Sequence, residues 1–465
     1  MIHPIPRDIW IRSTKLALPV AGAYLVIFAG LAAEFLIVGR ALGGVGLAAI
    51  GLAGTFTLVL VLAFHALEIA VQAIAARRYG EGNREAAGAA LDNGLLVSMV
   101  LGVPLSVALW YLGPWIFQSA DSEAVAKLAT TYFRWRVPGI PLLIGSLVII
   151  GFFNAISRPI VPAALYGVIL LLNGLLCWGL VGGHLGLPEM GIAGAGLAQT
   201  ISLVCGVGLF CVVLALPRVR RRYGVFRMRR NYDPKLIVAI LKLSGPVFVQ
   251  QFLGNAGMFL FVLINSRVPD GGISLSATTI TRQIGYLTYL PSLGFGIAAA
   301  TLVGQYLGAK EPHRAAQSGY VCWLMGAIMM GVTGIAFIVF RDPLVQLFIS
   351  HPRLMKPGAA TGADDLARVA EMAGMIMVLI GTYQILESVN TIVGKALQGA
   401  GETYFVMMVS IGSQFLVFLP LAWFLALPME LGAWGSALAF ALSLAFSALL
   451  LAFRFRAPGW RKVEV

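Results

Sequence analysis

The stretch MGIAGAGLAQTIS, residues 190–202, returns as LGAWGSALAFALS at residues 431–443. A second pair follows the same order: ARRYGEGNREAAG (76–88) is matched by GQYLGAKEPHRAAQ (304–317). Pro19 and Pro246 likewise stand early in corresponding apolar runs. The chain is therefore two copies of one unit, and the fold follows once the solvent of that unit is known.

Composition identifies the solvent. Of 465 residues, 59% are hydrophobic and only 11% charged, and the mean hydropathy is +0.88. A soluble domain carries roughly 25% charged residues. No globular core absorbs this much apolar surface, so most of the chain must face lipid. The 54 glycines suit membrane helices that approach closely through small residues. Cys177, Cys205, Cys211 and Cys322 lie in apolar runs without metal-ligand or disulfide spacing and read as packing residues.

Apolar segments of spanning length fall at 15–38, 47–76, 88–112, 126–151, 160–183, 190–216, 238–267, 275–306, 316–340, 369–395, 403–427 and 431–454. The first reads as an uncleaved membrane helix, because its apolar run outlasts any signal-peptide core. Six spans per copy is an even number, so both copies enter from the same side as parallel repeats. The expected fold is an all-α integral membrane protein, twelve transmembrane helices in two six-helix bundles around a central cleft. Its expected parts are a bundle at 1–216, a basic linker at 217–237 and a bundle at 238–465. The segment from His351 to Asp365 reads as the one long outer loop.

Most of the 33 Lys and Arg residues fall on the face that carries both termini and the linker. The positive-inside rule makes that face cytoplasmic, and it accounts for the net charge of +13 without nucleic acid. The run RVRRRYGVFRMRR (218–230) reads as a topology anchor on anionic lipid. Trp110, Trp115, Trp135 and Trp460 read as interface anchors.

Ionisable groups deep in a span are expensive and mark ion or substrate paths. Glu34 and Glu387 are read in that way. Glu68, with His65 and Gln72 on one helical face, reads as a buried pair. Arg282 is a possible salt-bridge partner of Glu387. Tyr24, Phe28, Phe259 and Tyr286 could wall an apolar, cation-tolerant cavity. Tyr383, Gln384 and Asn390 fall within one or two helical turns of Glu387, and Gln384 and Asn390, with Asn255, are read as lining the substrate cavity. No Walker-type loop, metal-spaced histidine cluster or G-x-S-x-G occurs, so the expectation is a gradient-driven transporter and not an enzyme, with no metal and no cofactor.

The segments EFLIVGRALGGVGLAAIGLA (34–53), VQAIAARRYGEGN (71–83), NAISRPIVPAALYGVILLLN (154–173), SLGFGIAAATLVGQYLGAKEPHRA (292–315) and LQGAGETYFVM (397–407) together resemble the multidrug and toxic compound extrusion family. The likeness covers nearly the whole chain. It implies export of small organic, often cationic and amphipathic compounds by alternating access, energised by protons or sodium. It implies a monomer in the inner membrane, with membrane lipid and substrate as its partners and no nucleic acid. By resemblance Glu34 stands at the first-helix acid, Glu387 at the tenth-helix acid, and Asn173 and Thr200 at polar positions of the first-half cation pocket. Two positions depart from the pattern: Cys177 and Asn255 stand where sodium-coupled relatives carry carboxylates. A hard cation needs several oxygen ligands, so proton coupling is favoured over sodium. The alternative is a flippase of a lipid-linked precursor in the same wider superfamily.

Overall fold

The computed structural model describes residues 5–119, 122–268, 271–349 and 363–463. Among these the chain is helical, with no strand. The helical run Arg7–Gly80 is interrupted at Gly43, where φ is +65° and ψ −158°, a conformation open essentially to glycine alone. Its two arms are α1 (7–42) and α2 (44–80). The later long helices are α3 (Arg84–Ile116), α4 (Glu123–Ala155), α5 (Ile160–Gly182), α6 (Ile192–Ala215), α7 (Pro234–Ser266), α8 (Gly271–Gly308), α9 (Pro312–Val339), α10 (Asp364–Gly399), α11 (Thr403–Ala426) and α12 (Gly432–Arg456). Eleven segments among the described residues are long and apolar enough to cross a membrane, one of them being Ala33–Gly80 with the Gly43 break inside it. Divided there, the described residues carry the twelve helices predicted, and the protein is a multi-pass membrane protein. The expected outer loop lies mostly outside the described residues.

The chain forms two compact units. The first-half unit holds residues 18–248 and 304–311; the second-half unit holds 5–17, 249–303 and 312–463.

In the first-half unit the core gathers around Phe56, Phe117 and Phe133, packed edge to face with centroids 5.3–6.1 Å apart. Such aromatic pairs contribute about 0.5–1.5 kcal/mol each beyond area burial. Glycines set the closest helix crossings. A Cβ at Gly80 would stand 1.9 Å from the Gln305 carbonyl oxygen, and one at Gly308 2.0 Å from the Arg77 carbonyl oxygen. The two copies of the repeated motif at 76–88 and 304–317 thus cross through reciprocal glycines. Helix α4 is broken by a 3-10 turn at Val137–Gly139, which holds Pro138 and is followed two residues on by Pro141. Neither proline has an N–H for the ladder. The Ser106 hydroxyl donates to the Val137 carbonyl at 2.8 Å.

The linker is docked on α3. The Asp92 carboxylate is buried and accepts from the backbone N–H of Phe226 (3.0 Å) and Arg227 (3.2 Å) and from Asn231 Nδ2 (2.7 Å). Glu85 pairs with Arg227 and Arg230, each at 3.4 Å. Tyr223 is buried, and desolvation pushes its phenol above its ordinary value. Part of the basic run is therefore held by α3 acids and not left to lipid alone. Asp92 clamps the linker to α3.

In the second-half unit, α10 and α11 each contain a π turn, at Val389–Val393 and Ser413–Phe418. Such turns aim side chains away from the regular ladder and recur at functional sites. One expected anchor is corrected. Trp460 is fully buried, stacked on Phe455 with centroids 5.0 Å apart, and its Nε1 donates to the Phe455 carbonyl at 2.8 Å. Trp110, Trp115 and Trp135 are exposed, as anchors would be.

Candidate functional site

Glu34 lies on α1 with 5% of its surface exposed. Its carboxylate accepts a hydrogen bond from the Tyr132 hydroxyl at 2.9 Å. Tyr132 is fully buried on α4, and its oxygen accepts from Arg136 Nη1, one turn further along the same helix. The phenol has one proton, given to Glu34, so its lone pair is what receives the guanidinium. The Arg136 guanidinium also lies 5.6 Å from the Tyr132 ring centroid. No carboxylate stands within 4.0 Å of Arg136 among the described residues. Glu34 and Arg136 are thus joined through a phenol and not by a direct ion pair.

Backbone approach positions this relay. A Cβ at Gly196 of α6 would stand 2.4 Å from the Tyr132 carbonyl oxygen, so α6 reaches α4 only because residue 196 has no side chain. One turn on, the Thr200 hydroxyl donates to the Trp135 carbonyl at 2.7 Å, within the stretch that Pro138 loosens. Thr200 therefore fixes the helix carrying Tyr132 and Arg136, and its proton goes to backbone and not to Glu34. Asn173 is buried, and its Oδ1 has no hydrogen-bond partner among the described residues. Cys177, one turn beyond Asn173, is buried as well. Tyr24 lies in the same unit, its hydroxyl 3.5 Å from His65 Nε2. The side chain of Phe28 lies outside the described residues. Glu68 is buried with His65 Nε2 3.4 Å from its carboxylate, the pairing expected.

The second-half acid has a different setting. Glu387 is half-buried and accepts from the Thr391 hydroxyl of its own helix at 3.2 Å, beside the π turn. Arg282 makes no ion pair with it among the described residues. Asn390 is bound on all sides. Its amide donates to the carbonyls of Leu386 and Leu444, each at 3.1 Å, and its Oδ1 accepts from the Ser447 hydroxyl. It ties α10 to α12. Gln384 is buried with Oε1 unpartnered among the described residues. Asn255 donates to the Gln251 carbonyl of its own helix at 2.7 Å. Phe259 and Tyr286 are exposed at the unit's surface.

The sequence reading missed Tyr132 and Arg136. A visible signal existed: a tyrosine and an arginine at i, i+4 inside a span share one face, and an intramembrane arginine always needs an account.

A carboxylate on a spanning helix in each half of an internally duplicated helical chain, sealed at Glu34 and half-buried at Glu387, is what a membrane transporter carries. Comparison with known proteins gives the family. The MatE family model matches residues 19–178 and 246–424, and the chain belongs to that family: it is an efflux transporter and not an enzyme. It is 27% identical over 456 residues to a protein of Bradyrhizobium diazoefficiens described as "Probable multidrug resistance protein NorM", covering 97% of this chain and 93% of the relative. A Rhizobium meliloti protein of the same description is 27% identical over 452 residues, covering 95% of this chain and 92% of the relative. Among solved structures, an outward-facing multidrug resistance MATE transporter superposes with a TM-score of 0.87 at 17% identity, covering 98% of this chain and 97% of that one. A MOP superfamily transporter from Pyrococcus furiosus gives 0.86 at 17% identity, covering 96% and 95%. At that identity the structures speak for the fold alone.

Proposed function

We propose that the chain exports small, often cationic, amphipathic organic compounds by antiport with protons, from an inner membrane with both termini cytoplasmic. The observation that carries the coupling is the setting of Glu34: buried in a spanning helix, bonded to one neutral phenol, with no direct ion pair. Such a carboxyl can exchange a proton as its surroundings change, which a permanently salt-bridged one could not. Sodium is disfavoured by the donor set. The guanidinium joined to the carboxylate through the Tyr132 hydroxyl repels a second cation, and Cys177 and Asn255 supply no charge where an oxygen cage would need it. The names of the curated relatives support the breadth of substrates.

The energetics suffice for a monomer acting on small organic substrates in lipid. One proton entering through 100 mV contributes about 2.3 kcal/mol, and one unit of pH difference about 1.4 kcal/mol more. In proteoliposomes with an imposed pH gradient and no sodium, wild-type protein should move a cationic dye such as ethidium. Glu34→Gln should abolish that movement while dye binding persists. Gradient-driven transport by Glu34→Gln, or a sodium requirement at every pH, would overturn the reading.

A further inference from the structure

The first-half unit fixes where one arginine of the linker stands. In the linker helix Pro217–Tyr223 the buried residues are Val219 and Tyr223. A Cβ at Gly88 would stand 1.8 Å from the Tyr223 carbonyl oxygen, so linker main chain lies directly on α3. The Tyr223 ring packs edge to face on Phe152 of α4, with centroids 5.5 Å apart. Asp92 then holds the backbone of Phe226 and Arg227 just beyond.

That docking gathers arginines from three elements around Tyr223. Arg84 lies one helical turn before Gly88, on the same face of α3. Arg158 stands in the turn between α4 and α5, where its backbone N–H donates to the Phe153 carbonyl at 2.9 Å, next to the ring on which Tyr223 packs. The Arg222 guanidinium lies 5.9 Å from the Tyr223 ring centroid. The charges of all three bear on the Tyr223 phenol, and all three residues are exposed. None has a carboxylate within 4.0 Å among the described residues. The nearby acids are already engaged: Glu81 by Arg78 at 3.0 Å, Glu85 by Arg227 and Arg230, and Asp92 by the linker backbone. Cations held together in this way repel one another until an anion joins them.

The level of the cluster identifies the anion. Arg84 opens α3, Arg158 stands just before α5, and Arg222 lies shortly after the end of α6 at Ala215. Ends of spanning helices meet lipid headgroups. At the same ends of α5 and α6, Ile160 and Leu216 are exposed and apolar, a surface suited to acyl chains. Guanidiniums take phosphate through paired N–H bonds. A single phosphodiester brings one negative charge to three cations. A headgroup with two phosphates comes closer to balance and can reach arginines on different elements.

We infer that Arg84, Arg158 and Arg222 form a binding site for a phospholipid with two phosphates, of the cardiolipin class, which ties α3, the α4–α5 turn and the linker together. This differs from the diffuse attraction of a basic run, because Arg84 and Arg158 lie outside that run. The site needs neither a gradient nor a transported substrate.

The test is native mass spectrometry of the full chain in detergent, titrated with tetraoleoyl cardiolipin or with dioleoyl phosphatidylglycerol at equal phosphate. A basic residue at an anionic lipid surface is worth about a fivefold factor in affinity. Arg84→Gln, Arg158→Gln and Arg222→Gln should each weaken cardiolipin by about that factor, and wild type should favour cardiolipin over phosphatidylglycerol by at least as much. Arg222→Lys keeps the charge and should keep most of the binding. Arg229→Gln removes an exposed charge from the same linker, six residues beyond Tyr223, and should leave cardiolipin binding nearly unchanged. Added cardiolipin should also raise the thermal midpoint of wild type more than that of Arg222→Gln. Equal losses in Arg229→Gln and Arg222→Gln would reduce the site to a basic stripe and overturn the assignment. So would equal retention of the two lipids at matched phosphate. Displacement of cardiolipin by an equal concentration of inorganic pyrophosphate would overturn it as well, by giving the arginines to a soluble phosphate.

Discussion

Gly196, Gln199 and Thr200 of the first copy align, through the repeat at 190–202 and 431–443, with Ala437, Phe440 and Ala441 of the second. The polar wall of the first half is an aromatic wall in the other. There Phe440 packs against Phe418 and Tyr383, with centroids 5.3 and 5.9 Å away. The acids follow the same divide. Glu34 is sealed and joined through a phenol to a guanidinium, whereas Glu387 is half-buried and, among the described residues, hydrogen-bonds only to a threonine of its own helix. One duplicated scaffold therefore presents a carboxylate twice under different rules. In the first half the neighbours respond to its charge; in the second, whatever approaches it does. The first setting suits ion exchange, the second attraction of a cation.

The comparison breaks most directly at the acids. Glu34→Gln should lower proton-driven efflux at least about a hundredfold, the scale of losing a positioned proton-transfer group, for cationic and neutral compounds alike. Dye transport in proteoliposomes reads this, and selective loss of cationic substrates alone would contradict it. Tyr132→Phe removes both hydrogen bonds through which the two charges are joined, each made to a charged group and worth about 1.5–3 kcal/mol. Maximal transport rate should fall about tenfold with dye affinity nearly unchanged. Glu387→Gln should weaken cationic substrates by about threefold to fivefold, as expected for a partly screened charge contributing under about 1 kcal/mol. Equilibrium dye binding should show no change for neutral compounds; equal losses for both would erase the distinction between the halves. The smallest effect is structural. Gly196→Val drives side-chain atoms toward the Tyr132 carbonyl and should cost about 1–3 kcal/mol, read as a lowered thermal midpoint in detergent. Ala437→Val, at a position that already holds a Cβ, should lower it less.

The helices, their number and the duplication were legible because lipid imposes length and hydropathy on each span independently of its neighbours. Glu34 and Glu387 were legible for the same reason, since any carboxylate in a span stands out. Partnership was not. The resemblance puts Thr200 in the cation pocket with Glu34, yet its proton goes to the Trp135 carbonyl, a partner set by which helix lies opposite. Asn390 reads as a cavity residue by helical phase, but the π turn that follows Glu387 rotates it into α12. Phase counted at 3.6 residues per turn fails wherever an extra residue is inserted. Trp460 misled because its burial depends on a stacked Phe455 that hydropathy does not reveal.

The reciprocal crossing of Gly80 and Gly308 has an evolutionary side. Each glycine presses on the backbone of the other copy's motif, at Gln305 and Arg77. A side chain gained at either place would collide with main chain, which cannot be trimmed by substitution. Compensation by the opposite copy is therefore closed off, and after duplication the two segments inherited a mutual veto. Elsewhere the halves drifted apart, Gln199 against Phe440 among them. The ancestral likeness is held by main chain in the stretch where the descendants still bear on each other, and by side-chain pattern alone at 190–202 and 431–443.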